Sequence, residues 1–438
     1  MTSAQSHANP LLGSVEMPVN PLRLADVALL ARADVHIVRN ELSKLRTRIV
    51  PPWLGPANPY PDGILPSGGA AFRGVAAQDL LEILAVRGPL HAMDGWSYLG
   101  RALNSLISGN SHAARHLAYY GELRAALSIL ASSGIGIFNR RNVVIDATGG
   151  VHYLEDRPTH DMCWATISEW ALLPDSLNQM VSSLFLAGTP LRDPFSEFFP
   201  SGASVAASQI MTEWGFDLAQ GWGDRGERNW SSYQPTALAG IRTTPEQDTA
   251  FLKCFWEALR PGGMILERNL LRILLEAEAQ AHGQVLAAYR APYERLDNSL
   301  KAIVPFDFLT RAIDPNNHSF VSHASDRHLP SNPYSMICRA ALLLRLATGM
   351  AERNLAAAGI QPSIQFDGWF REFGVDHGLW SPGTEPSSSY ELWEDVDLAL
   401  DDAESAPSAH RHTWLLALSS NAVPVCQTER AALWGLFQ

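Results

Sequence analysis

Lysine is almost missing from this chain: Lys44, Lys253 and Lys301 are the only three in 438 residues. None follows a glycine, which excludes the Walker A loop, whose lysine must reach the transferred phosphates. The residues two positions before them are Leu42, Phe251 and Ser299, so the acidic-x-Lys pattern of metal-dependent nucleases is excluded as well. Cysteine is also scarce. Cys163, Cys254, Cys338 and Cys426 stand far apart with no CxxC pair, which argues against a disulfide framework and against cysteine-ligated zinc. Buried, reduced thiols are expected. No run of eighteen apolar residues occurs, and the first residues carry no basic stretch followed by an apolar one. The expectation is a cytoplasmic chain with no membrane partner. The GxSxG, HExxH and EF-hand patterns are missing too. Gly134-Ile135-Gly136 lacks a third glycine and leads into a hairpin pattern, so no dinucleotide site is expected.

What is present is a globular composition. Apolar residues make up 46% of the chain and charged residues only 18%, ample to bury a large core. The formal charge of −12 argues against a protein that holds nucleic acid by a broad basic face and leaves only a local patch for that purpose. The cations are nearly all arginine, a bias expected of a GC-rich bacterial genome.

Helical periodicity dominates. Leu24 to Ile49 reads as one amphipathic helix ending in Arg39, Lys44, Arg46 and Arg48, cations that complement a helix C-terminus. The proline- and glycine-rich stretch PPWLGPANPYPDGILPSGG reads as a loop. Further helices are expected over 76–87, 96–108, 111–132, 175–187, 203–219, 246–260, 264–289 and 292–302, and from Thr159, as N-cap, through 173. Between them GIGIF, NVVID and VHYL change to a strand period and predict a small antiparallel meander over 134–154. Ser331-Asn332-Pro333 starts a strongly apolar helix that stops at Gly359 and is expected at the centre of the C-terminal domain. The fold class is therefore mainly α, multi-helical, with two domains: 1–200 with the meander, 246–438, and a glycine- and tryptophan-rich crossing over 201–245.

The stretch 111–132 carries the main candidate site. At 100° per residue from His112, Arg115 lies at 300°, His116 at 40°, Tyr119 at 340° and Glu122 at 280°, the same arc that Leu123, Ala126, Leu127 and Leu130 occupy further on. A polar cluster on a core-facing stripe must find partners or pay for desolvation. One reading makes it catalytic: histidines at i, i+4 for a metal or for acid–base work, Arg115 as an anion clamp, Tyr119 as a donor, with His160 or Asp161 completing a metal set. The other makes it a buried network that fixes helix register, with Glu122 and the tyrosine hydroxyls satisfying Arg115.

Three weaker signals remain. His318, His323, Asp326 and His328 fall in one expected loop and have the chemistry to hold zinc or manganese, so a divalent metal is the one cofactor the sequence leaves open; none other is expected. The His160-Asp161 doublet resembles that of the HD phosphohydrolases, an all-helical metal-dependent family, but such a site also needs an upstream histidine and a downstream aspartate, and Asp161 falls in a helix's first turn, where a carboxylate complements the dipole. The spacing of Arg311 with His318 and of Arg371 with His377 is that of HEPN ribonucleases, yet 14 histidines among so many arginines supply such pairs by chance. Arg339 and Arg345 are expected as buried ion-pair donors. The acidic run ELWEDVDLALDDAE reads as a solvated helix face or equally as a docking face for a basic partner, and the tryptophans of 214–230, in an expected loop, as anchors for another protein or for stacked bases.

With every strong catalytic signature missing, the leading expectation is a binding or scaffolding subunit of a larger assembly, with another protein as partner and a link to stress or defence. The alternative is a hydrolase of phosphoesterase or nuclease type using His112, Arg115, His116, Tyr119 and Glu122. The oligomeric state is open.

Overall fold

The computed structural model describes residues 20–46, 65–66, 69–186, 188–233, 242–262, 264–310, 319–328, 331–361, 367–386, 389–418 and 422–436. The chain is mainly α-helical. Helices α1 (Leu24–Leu30), α2 (Val35–Leu45) and α3 (Gly69–Arg73) precede the long pair α4 (Ala77–Ile107) and α5 (Ser111–Ser132). The meander β1 (Ile135–Gly136), β2 (Val143–Ile145) and β3 (Val151–Tyr153) is followed by α6 (Thr159–Trp170) and α7 (Ser176–Val181). A two-stranded ribbon, β4 (Phe185–Leu186) and β5 (Thr189–Pro190), leads to α8 (Arg192–Phe198), α9 (Ala207–Trp214) and α10 (Leu218–Tyr233). Then come α11 (Pro245–Leu259), α12 (Ile265–Ala281), a 3₁₀ turn over Leu286–Tyr289, α13 (Arg290–Arg295), α14 (Asn298–Ile303), α15 (Phe306–Thr310), α16 (Ser319–Ala324) and α17 (Pro333–Ala357). The described chain closes with α18 (Asp367–Asp376), α19 (Ser389–Ser405), α20 (Arg411–Leu418), α21 (Ala422–Val425) and α22 (Glu429–Leu436).

Local chemistry explains several boundaries, including some that differ from expectation. The helix expected over 24–49 is two, because Asp34 turns its carboxylate onto the amides of His36 and Ile37, capping α2, while Ala33 pairs with Asp146 beside the meander. The helices expected at 76–87 and 96–108 are one, running through Pro89. Packing holds the helix together around the proline: Ser128 of α5 donates to the Gly88 carbonyl at 2.6 Å, and Gly95 admits Leu344 of α17 where a Cβ would clash. Thr159 is the first residue of α6 and Pro158 its cap. α17 starts as expected, Asn332 accepting from the Tyr334 amide at 2.9 Å. The meander is antiparallel, with Val144 opposite Ile135 and His152. Most of PPWLGPANPYPDGILPSGG lies outside the described residues.

The centre of the molecule is the packing of α4, α5 and α17 on one another, with α10 and α6 against α5. α17, expected at the heart of the C-terminal domain, has α5 and α4 as its principal neighbours. One continuous core takes in residues from Leu22 to Ala432 and passes through the expected 201–245 crossing. A smaller core lies under the meander, around Phe72, Leu80, Leu84 and Phe138. None of the described helices is long and apolar enough to cross a membrane.

Candidate functional site

The polar face of α5 meets α10, α6 and α17 in a seam. Arg115 is fully buried; it donates to Ser231 Oγ at 3.1 Å and pairs with Glu227, both on α10. Burial lowers its pKa to about 10, opposed by the Asp224 carboxylate, so it remains a cation at neutral pH. One turn on, Tyr119 is equally buried. Its hydroxyl accepts from Trp164 Nε1 at 3.2 Å and lies 2.8 Å from His160 Nδ1. An indole N–H only donates, and burial pushes the phenol's pKa up, so the phenol keeps its proton and hands it to His160 Nδ1. His160 is accordingly neutral: burial, then Arg228 and Arg225, bring its pKa down to about 4. That leaves its own proton on Nε2. The Arg228 guanidinium covers the rings of Tyr119 and Tyr120 at 5.3 and 5.4 Å.

The second half of the seam is ionic. Arg339 of α17 grips Asp224 of α10 through Nε to Oδ2 at 2.9 Å and Nη2 to Oδ1 at 2.8 Å, with both side chains fully buried. Ser331 Oγ adds a 3.0 Å bond to the same carboxylate, and Arg339 Nη1 donates to the Asp326 carbonyl at 3.1 Å. Glu122 lies 3.7 Å from Arg339 but neither of its oxygens accepts a hydrogen bond. Burial, then the Asp224 carboxylate, holds the Glu122 carboxyl well above the usual range. The shift favours the neutral acid form of Glu122 in the folded protein.

The two histidines of α5 sit at the edge of this seam. His116 Nδ1 is 2.6 Å from Ser232 Oγ, whose own proton goes to the Arg228 carbonyl at 2.9 Å. The serine oxygen must then accept, which places the His116 proton on Nδ1 and a lone pair on Nε2. Burial, then Arg228, lowers its pKa. His112 is half-buried; its pKa is lowered by burial and then by Arg115, and its Nδ1 has no hydrogen-bond partner. Asp161 does not join a histidine pair. It is ion-paired with Arg225 of α10.

Of the expected metal loop, His323, Asp326 and His328 are described, and they line one cavity. His318, like Arg311, lies outside the described residues. His323 is on α16, edge-on to Phe251 and Tyr334 at 5.6 and 5.4 Å. Asp326 bonds the backbone amide of His328 at 3.0 Å and its imidazole, which is 96% exposed. Among the described residues, no group of three or more His, Cys, Asp or Glu side chains is placed to hold a metal ion. Arg339 and Arg345, expected as ion-pair donors, bind Asp224 and Glu267.

The loop expected over 214–230 is largely the helix α10, a correction with consequences for the site. Trp214 and Trp222 are buried and Trp230 is 43% exposed. Asp224, Glu227 and Arg228, which complete the seam, were hidden from sequence reading by the glycines of LAQGWGDRGERNWSSY. Helical spacing would have found them: Gly221, Asp224, Arg228 and Ser231 recur at i, i+3, i+7 and i+10. Gly221 is needed because the Trp164 ring of α6 occupies the place a Cβ would take. The chain matches no family model, no curated protein and no solved structure.

Proposed function

We propose that this chain works by binding, as a subunit that docks onto another protein, and that the polar face of α5 is an interhelical lock. The observation that carries this reading is that three of the buried polar groups at the seam are spent on neighbouring helices: Tyr119 on Trp164 and His160, Arg115 on Ser231 and Glu227, Asp224 on Arg339. A reactive site needs groups held ready for a substrate, and buried groups that bond one another instead specify how helices pack. Beside the lock, the outer end of α10 presents Trp230 and Tyr233, the latter 77% exposed. Aromatics of this kind are the usual anchors of protein interfaces.

Native sizing of the tagged chain from its source cells, followed by crosslinking mass spectrometry, tests this. The expected result is a complex heavier than the purified chain alone, crosslinked through α10 and lost on Trp230→Ser/Tyr233→Ser. Identical masses for the cellular and the purified chain would overturn it.

A phosphoester hydrolase is the second reading, favoured by one observation. His116 Nε2 carries a lone pair on an imidazole whose pKa is held below the ordinary 6.5, which suits a general base at neutral pH. It requires turnover that disappears in a folded His116→Ala variant.

A further inference from the structure

A cavity of about 190 Å³ opens beside the seam, walled by α4, α5, the turn between β1 and β2, and the start of α6. α5 contributes Tyr120, Leu123, Arg124 and Leu127, which lie between 20° and 120° on the wheel that puts the lock between 280° and 340°. The charged lining is of one sign. Arg87, Arg124 and Arg141 come from three different elements, His91 and His160 stand with them, and no aspartate or glutamate is part of the wall.

Arg124, Arg141, His91 and His160 are held as donors. Arg124 Nη1 donates to His91 Nδ1 at 3.0 Å, so the His91 proton sits on Nε2. His160 is the Nε2–H tautomer for the reason given above. Burial, then Arg124 and Arg87, holds the His91 pKa well below its ordinary value. Arg141 is held by the neutral carbonyls of Phe138, Leu65 and Pro66 at 2.9, 2.9 and 2.6 Å, which orient the guanidinium without cancelling its charge. Arg87 is 4% exposed and lies over the Phe138 ring at 4.6 Å. Two acids stand near this set without being part of the wall: Asp94, 3.4 Å from Arg124, and Asp161, which is ion-paired with Arg225. Leu123, Leu127, Ile137 and Phe138 supply the apolar part.

We propose that this cavity binds a small phosphate-bearing anion, inorganic phosphate or a short phosphate monoester. Guanidinium forks arriving from several sides match the many acceptor oxygens of a tetrahedral dianion better than the two of a carboxylate. Size narrows the class. At roughly 30 Å³ per water the cavity holds about six waters, whereas pockets for drug-sized molecules and cofactors run to roughly 300–1,000 Å³. There is room for a phosphate group and a few carbons, not for a dinucleotide.

Isothermal titration calorimetry on the full chain tests this with inorganic phosphate and glycerol phosphate, against acetate at matched ionic strength. One saturable site for a phosphate compound is expected, weakened about tenfold or more in Arg124→Gln, as removal of a charge-assisted bond implies. Arg295→Gln, which pairs with Glu197 and is not part of the wall, should leave it unchanged. Tighter binding of the ester than of phosphate identifies the ester as the ligand class; equal binding identifies the free ion. Absence of saturable phosphate heat, acetate binding as tight as phosphate, or full affinity in both Arg124→Gln and Arg124→Lys overturns the proposal. The docking reading predicts nothing about phosphate, so the two fail separately.

Discussion

Arg339 and Asp224, 115 residues apart in the chain, are joined by two parallel hydrogen bonds of 2.9 and 2.8 Å in a place from which water is excluded. The pair fastens α17 to α10 beside Glu122 of α5. Breaking a buried pair strands the surviving charge, at a cost of about 3–5 kcal/mol. Arg339→Met should therefore lower the unfolding free energy by that order in chemical denaturation. Arg339→Met with Asp224→Leu should recover much of the loss, since a hydrophobic replacement of both partners leaves no orphan. A single variant as stable as wild type would show that the pair carries no such role.

The pH dependence of stability should have two limbs. The folded Glu122 carboxyl is held well above the ordinary 4.5, first by burial and then by Asp224, so the folded state keeps a proton the unfolded chain has released. Its contribution is complete below about pH 4.5 and is lost as pH rises through the folded value. His160 acts in the opposite sense. Its folded pKa of about 4 lies below the ordinary 6.5, so stability is present above pH 6.5 and is lost as pH falls through about 4. Melting temperatures across pH should show Glu122→Gln flattening the alkaline limb and His160→Gln the acid one. An unchanged alkaline slope in Glu122→Gln would remove the neutral acid from the account.

Gly349, inside α17, lies against the Ser183 carbonyl so closely that a Cβ would overlap the oxygen. In an exposed helix interior, alanine is better than glycine by about 0.5–1 kcal/mol. Here overpacking against backbone should win, and Gly349→Ala should cost about 1–3 kcal/mol. Gly226 in α10, where a Cβ would meet nothing within 4 Å, is the matched control and should gain stability as alanine. Equal shifts of the two melting temperatures would contradict this packing.

The parts of this fold that are legible in sequence are those where local chemistry decides. The meander is announced by Val143, Val144 and Val151 against the glycines around them, and α17 by Asn332-Pro333. What could not be read is where tertiary contact overrides the local signal. Pro89 looks like a break, yet α4 continues because α5 and α17 press on it. The glycines of 221–226 look like a loop, yet Gly221 is the seat of Trp164 on a helix. The same glycines conceal the partners of the α5 cluster: its residues are visible, but Asp224 and Glu227 fall in the stretch that reads as a crossing segment, so the network does not close from sequence. The cationic cavity escaped notice because Arg87, Arg124, Arg141 and His160 come from four separate elements with no spacing to connect them.

Tyr119→Phe tests the central claim most directly, because it deletes the oxygen that joins α5 to α6 while preserving shape. The account predicts a folded variant with its denaturation midpoint lowered by about 1–3 kcal/mol equivalent, as the N–H of Trp164 and Nδ1 of His160 lose their partner. It also predicts no turnover of phosphomonoester or phosphodiester substrates by either protein. Turnover by wild type that vanishes in the folded variant at unchanged stability would contradict it and make the face of α5 an active site.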